Sequence, residues 1–139
     1  MLHPGKTAGD TNSRNKRILL VEDEALIAMA EAQMLNEHGY SVIAVMRGED
    51  ALQEATANDL DLILMDIDLG RGRMEGTEVA RRILETHEIP VIFLTSHSEK
   101  AYVDTVEGIS SYGYVLKSEG EAVLLQSIEN ALHLSSTDR

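Results

Sequence analysis

The sequence predicts an α/β fold, with five parallel strands in one sheet and helices on both faces. Three observations carry this. Five short apolar runs, bounded by polar residues, recur along the chain, as strands buried on both faces require. Longer segments with apolar residues at helical spacing separate them, and short loops join the two. Several runs also end in a side chain capable of chemistry: Glu22 and Asp23 after the first, Asp66 at the third, Thr95 at the fourth and Lys117 at the fifth.

The elements follow in order. Residues 1–15 mix Pro, Gly, Thr, Asn and Ser without periodicity, which predicts a flexible N-terminal arm. Arg17 to Val21 is the first strand, running into the acids Glu22, Asp23 and Glu24. Residues 25–38 are predicted helical, with Leu26, Ala30 and Met34 as the inward stripe and Gly39 as the stop. Residues 42–45 form the second strand. A helix over 49–57 turns Ala51, Leu52 and Ala55 inward. The third strand, 62–66, runs four apolar residues straight into Asp66.

A Gly- and Arg-rich loop, 70–76, leads to a helix over 77–85 with Val79, Ala80 and Ile83 on one face. Residues 90–94 are the fourth strand, ending in Thr95. A weakly patterned helix is expected over 98–106, closed by Gly108. Residues 112–116 are the fifth strand, ending in Lys117. Ser118 and Glu121 have capping-box spacing and open a last helix with Leu124, Leu125, Ile128 and Leu132 along one stripe. One domain over 16–134 is expected, followed by a frayed tail at 135–139.

Right-handed crossovers leave few ways to connect five such strands. The flavodoxin-like order 2-1-3-4-5 is the common one, and it sets the ends of strands 1 and 3 side by side at the switch point. Glu22, Asp23 and Asp66 then meet as a hard oxygen site suited to Mg²⁺. Lys117 can steady such a cluster and pair with a phosphoryl group. The Thr95 hydroxyl can donate to a phosphoryl oxygen. Carboxylates serve as nucleophiles in phosphoryl transfer, so Asp66 is the candidate acceptor.

The chain of 139 residues is long enough for one sizeable core. It carries a net charge of −12, which disfavours direct binding to nucleic acid. With no cysteine there is no disulfide framework or thiolate site. No apolar run approaches the roughly 20 residues of a membrane span, so no membrane association is expected. A cytoplasmic location fits these features.

The motifs Val21-Glu22-Asp23-Glu24, Leu64-Met65-Asp66, Leu94-Thr95-Ser96 and Tyr114-Val115-Leu116-Lys117, in this order and at these separations, resemble the receiver domain of two-component response regulators. The resemblance covers about residues 17–132. It implies that Asp66 accepts a phosphoryl group from a sensor histidine kinase or histidine phosphotransfer protein in a phosphorelay. Glu22, Asp23 and Asp66 would hold Mg²⁺, with the backbone carbonyl of Asp68 as a further ligand. Thr95 would be the switch hydroxyl, Lys117 the phosphoryl-binding lysine and Tyr114 the aromatic that turns inward on activation. The domain would catalyse only its own phosphorylation and dephosphorylation. Its output would be a change in the face of the fourth helix, fifth strand and fifth helix, read by a downstream protein. A second copy of the chain is a further candidate partner.

The chain departs from the family pattern in three places. Gly70 stands where a proline is usual, the loop before Gly76 is about two residues longer, and Ser118 replaces the proline that usually follows the lysine in a cis bond. A cis bond before a non-proline residue costs about 2.5–4 kcal/mol, so Lys117-Ser118 is expected to be trans.

Rival readings are weaker. Asp66-Ile67-Asp68 also resembles the start of haloacid-dehalogenase-type phosphatases, but that motif sits on a first strand and leaves Glu22 and Asp23 unexplained. Gly70, Gly72 and Gly76 miss the dinucleotide-binding spacing by one position, and no Walker lysine is present. Arg71 and Arg73 are rare positive charge on an acidic chain, placed to overhang the reaction edge.

Overall fold

A computed structural model describes residues 16–67, 76–95 and 113–137 of the chain, with side chains described to 134. Its strands are β1 (Arg17–Val21), β2 (Ser41–Val45), β3 (Leu62–Asp66), β4 (Val91–Thr95) and β5 (Gly113–Leu116). They form one parallel sheet in the order β2-β1-β3-β4-β5, as predicted. The described helices are α1 (Ala25–Glu37), α2 (Gly48–Ala57), α3 (Gly76–Leu84) and α4 (Glu121–Thr137). The loop arginines Arg71 and Arg73, Asp68 and the helix expected over 98–106 lie outside the described residues.

Strand pleating divides the core into two layers. Leu19, Val21, Ile63, Met65, Val91 and Phe93 face α2 and α3. Ile18, Leu20, Leu62, Leu64, Ile92 and Leu94 face α1 and α4. β3 and β4 are buried from end to end, which is why their sequences read as unbroken apolar runs.

The predicted stripes of three helices hold. Ala51 and Ala55 of α2, Val79, Ala80 and Ile83 of α3, and Leu124 and Ile128 of α4 are buried. The stripe expected for α1 holds only at Met34, which packs against the core. Leu26 is 80% exposed and Ala30 is exposed, whereas Ala28 and Leu35 are buried. Residues 25–30 are apolar all round, so helical periodicity cannot choose a face. The inward line runs from Ala28 through Glu31 and Ala32 to Leu35.

α1 stops as predicted at Gly39, whose φ is +95°. The Tyr40 N–H donates to the Leu35 carbonyl at 3.1 Å and the Gly39 N–H to that of Asn36 at 3.0 Å, a Schellman pair.

The start of α4 differs from expectation. Lys117–Glu119 form a 3₁₀ turn, and it is Glu119, not Glu121, whose carboxylate reaches back, accepting the Leu116 N–H at 2.9 Å. Gly120, at φ +97°, then resets the chain before the helix begins. α4 also runs through Thr137, into the segment expected to fray.

Candidate functional site

The strand register explains how the site assembles. Val21 of β1 pairs with Met65 of β3, so the next residues, Glu22 and Asp66, come level. Asp66 pairs with Leu94 of β4, and Thr95 pairs with Leu116 of β5, just before Lys117. Four apolar runs thus deliver Glu22, Asp66, Thr95 and Lys117 to one edge.

Glu22 is fully buried, and Asp66 and Thr95 are each 3% exposed. The Lys117 ammonium donates to Glu22 Oε1 and to Asp66 Oδ2, both at 3.2 Å. The other oxygen of Glu22, Oε2, accepts the Glu24 N–H at 3.2 Å. Burial alone would lower the Lys117 pKa, but the charges of Asp66 and then Glu22 outweigh it and hold the ammonium above its usual range. Lys117 therefore stays charged at neutral pH. The Lys117-Ser118 bond is trans, since no cis peptide occurs among the described residues.

Oxygens of Glu22, Asp23 and Asp66 lie within 4.8 Å of one another. The donors are all hard carboxylate oxygens, the set a Mg²⁺ ion takes. Two of them already share a cation, the Lys117 ammonium, so the space between them accepts positive charge. The residues fit the metal.

Tyr114 lies on β5, paired with Phe93 of β4, at 42% exposure. Asp68 falls outside the described residues.

Two residues near the site escaped the sequence reading. Gly76 opens α3 directly against β3: a Cβ there would overlap the Asp66 carbonyl oxygen and lie 3.0 Å from Ile67 Cα. The Gly76 N–H also donates to the Ile67 carbonyl at 3.0 Å. Glu31 sits on the inner side of α1. Its Oε1 is buried with no hydrogen-bond partner among the described residues. Burial first, and the charge of Glu22 second, raise its pKa above the usual 4.5, with Lys117 partly offsetting them.

A stability prediction follows from Glu31. Below pH 4.5 the carboxyl is protonated in both folded and unfolded chains, and its burial carries no ionisation penalty. As pH rises, the unfolded chain ionises first. Stability is lost progressively until pH exceeds the raised folded value. Glu31→Gln is therefore expected to raise the metal-free Tm at about pH 7.5, with the gain fading toward about pH 4. Thermal melts across that range check it. A constant difference would place the effect in packing.

A family model described as "Response regulator receiver domain" matches residues 18–129. The chain belongs to that family. The curated transcriptional regulatory protein PdtaR of Mycobacterium tuberculosis is 31% identical over 118 residues, covering 84% of this chain and 57% of that protein. The N-terminal domain of a response regulator/sensory box/GGDEF protein from Carboxydothermus hydrogenoformans is 43% identical. It covers 88% of this chain and 98% of its own, at a TM-score of 0.82. A CheY-like receiver domain from Methanospirillum hungatei is 25% identical, with a TM-score of 0.84 over 90% of this chain and 99% of its own. The receiver domain thus spans just over half the length of the first curated relatives it matches. None of these relatives supports the phosphatase alternative. Among the described residues, no helix is long and apolar enough to cross a membrane.

Proposed function

We propose that this receiver domain takes a phosphoryl group onto Asp66 from the phosphohistidine of a sensor kinase or phosphotransfer protein, in a Mg²⁺-dependent reaction in the cytoplasm. The observation that carries this is the Lys117 ammonium shared at 3.2 Å between Asp66 and Glu22. It supports reading Asp66 as the nucleophile, Glu22 as part of a cation-accepting acid cluster and Lys117 as the phosphoryl-binding lysine. An Asp66 oxygen attacks phosphorus as the P–N bond to the donor imidazole breaks, leaving an acyl phosphate and a neutral histidine. Lys117 pairs with the arriving phosphoryl group, and the Thr95 hydroxyl donates to one of its oxygens. Glu22, Asp23 and Asp66, with the Asp68 carbonyl that the family resemblance implies, would hold Mg²⁺, which when bound would neutralise charge on the equatorial oxygens.

The new charge of about −1.5 to −2 is read through Thr95 and Tyr114. Tyr114, at 42% exposure, is not locked into the core and is able to turn. The switched face comprises the segment 98–106, β5 and α4, and its readers are a downstream protein or a second copy. Leu26, Ile27 and Met29 are exposed at the start of α1, beside the acids, and offer an apolar contact for the phosphoryl donor.

Acetyl phosphate with Mg²⁺ is expected to add one base-labile phosphoryl group, seen by intact mass, and Asp66→Asn to abolish it. Labelling elsewhere, or undiminished labelling of the variant, rejects the assignment. For the metal, Mg²⁺ is expected to raise Tm by mass action, and Asp23→Ala to remove most of that gain. Equal stabilisation of both proteins counts against the site.

A further inference from the structure

Lys117 is bound to two of the three carboxylates that the proposed metal needs. A divalent cation held by the same carboxylates would stand close to the ammonium and repel it, even on their other oxygens. Metal entry therefore weakens the present pairing of Lys117 and favours a second acceptor for it. Releasing a partly buried ammonium with nowhere to go would tax metal affinity.

The structure provides a place beside it. A cavity of about 220 Å³ lies between α1, α4 and the sheet. Its wall includes Lys117 and Glu31, with Met34, Leu94, Val115 and Leu124. The apolar side chains suit the four-carbon stem of the lysine. The buried Glu31 Oε1, which has no partner among the described residues, suits its head. A lysine stem is flexible and its ammonium has three donors, so it can exchange one acceptor for another without moving the backbone.

We propose that Glu31 is a second berth for the Lys117 ammonium, occupied when a divalent cation takes Glu22, Asp23 and Asp66. Glu31 is then a positioning residue. It holds no metal and touches no phosphoryl group, but it receives the lysine displaced by the first and returns it to the second. It also explains why a carboxylate stands on the sheet-facing side of α1, where an aliphatic residue would pack at no desolvation cost. The inference rests on the metal reading above.

The test is a double-mutant cycle on Mg²⁺ affinity, measured by calorimetry on the full chain without any phosphoryl donor. Wild type, Glu31→Gln, Lys117→Met and the double variant are compared. Glu31→Gln keeps size and polarity but removes the charge. It is expected to weaken Mg²⁺ binding by about 3- to 30-fold, the range of coupling between contacting residues. In the Lys117→Met background the same substitution should have little effect, since no ammonium remains to be received. If Glu31→Gln weakens Mg²⁺ equally in both backgrounds, Glu31 acts on the metal through its field alone, and the berth is wrong. If it has no effect in either, an ordinary water satisfies Glu31, and the berth is again wrong. Failure of the wild type to bind Mg²⁺ at all overturns the metal reading and this inference together. The ¹⁵N signal of the Lys117 side chain gives an independent readout. It should shift on Mg²⁺ addition in the wild type and broaden toward solvent exchange in Glu31→Gln.

Discussion

Gly76→Ala is expected to destabilise the domain by about 1–3 kcal/mol, the range for forcing a methyl group into filled space. Helix propensity alone predicts the opposite sign, because alanine is favoured over glycine by up to about 1 kcal/mol inside a helix. The contact decides. The added Cβ would overlap the carbonyl oxygen of Asp66, a backbone atom of a strand buried on every side. Neither partner is a flexible side-chain end that could swing away. α3 must lift or β3 must shift, and either moves Asp66. A displacement near 1 Å at a reacting group can cost about 10²-fold in rate, so acetyl phosphate labelling should slow by an order of magnitude or more. Urea unfolding and labelling kinetics check the two effects. A more stable variant with normal labelling would show that the added methyl group is accommodated without moving Asp66.

The fold was legible because its strands are buried on both faces. Residues 62–66 and 91–95 cannot be read as half-exposed, and their polar ends mark where the sheet stops. From there, topology did the assembling. Glu22, Asp66 and Lys117 are far apart in sequence, and only the order β2-β1-β3-β4-β5 brings them within one ammonium's reach. Glu31 was not legible by the same logic. Residues 25–30 are apolar all round, so Glu31 reads as the solvated side, and of the expected stripe Leu26 and Ala30 are exposed while Met34 packs against the core. The spacing of Ala28, Glu31 and Leu35, three and then four residues apart, is an equally good helical line, and it is the one the sheet selected. The cap of α4 was misplaced for a related reason. Glu119 and Glu121 both stand near the turn, and only the positive φ of Gly120 shows which one lies before the helix.

Lys117→Met is expected to be the most damaging single change in the site when metal is absent. Removing one partner from a buried ionic group leaves the other charges uncompensated, at about 3–5 kcal/mol for a wholly buried pair. The Lys117 side chain is 26% exposed while those of Glu22 and Asp66 are 0% and 4%. Solvent reaches the cation but hardly the anions. A loss of about 2–4 kcal/mol in urea unfolding is therefore expected at neutral pH. Mg²⁺ should recover more stability in this variant than in wild type, because it replaces the missing cation and no longer competes with an ammonium. Replacing all three groups in Glu22→Gln, Asp66→Asn and Lys117→Met together should restore metal-free stability to near the wild-type level, since the anions that Lys117 compensated are then gone as well. Such a protein should fold and gain nothing from Mg²⁺. A Lys117→Met variant as stable as wild type would mean that water already screens Glu22 and Asp66. The arrangement would then owe its tightness to packing of the strand ends, with the lysine contributing only to the phosphoryl step.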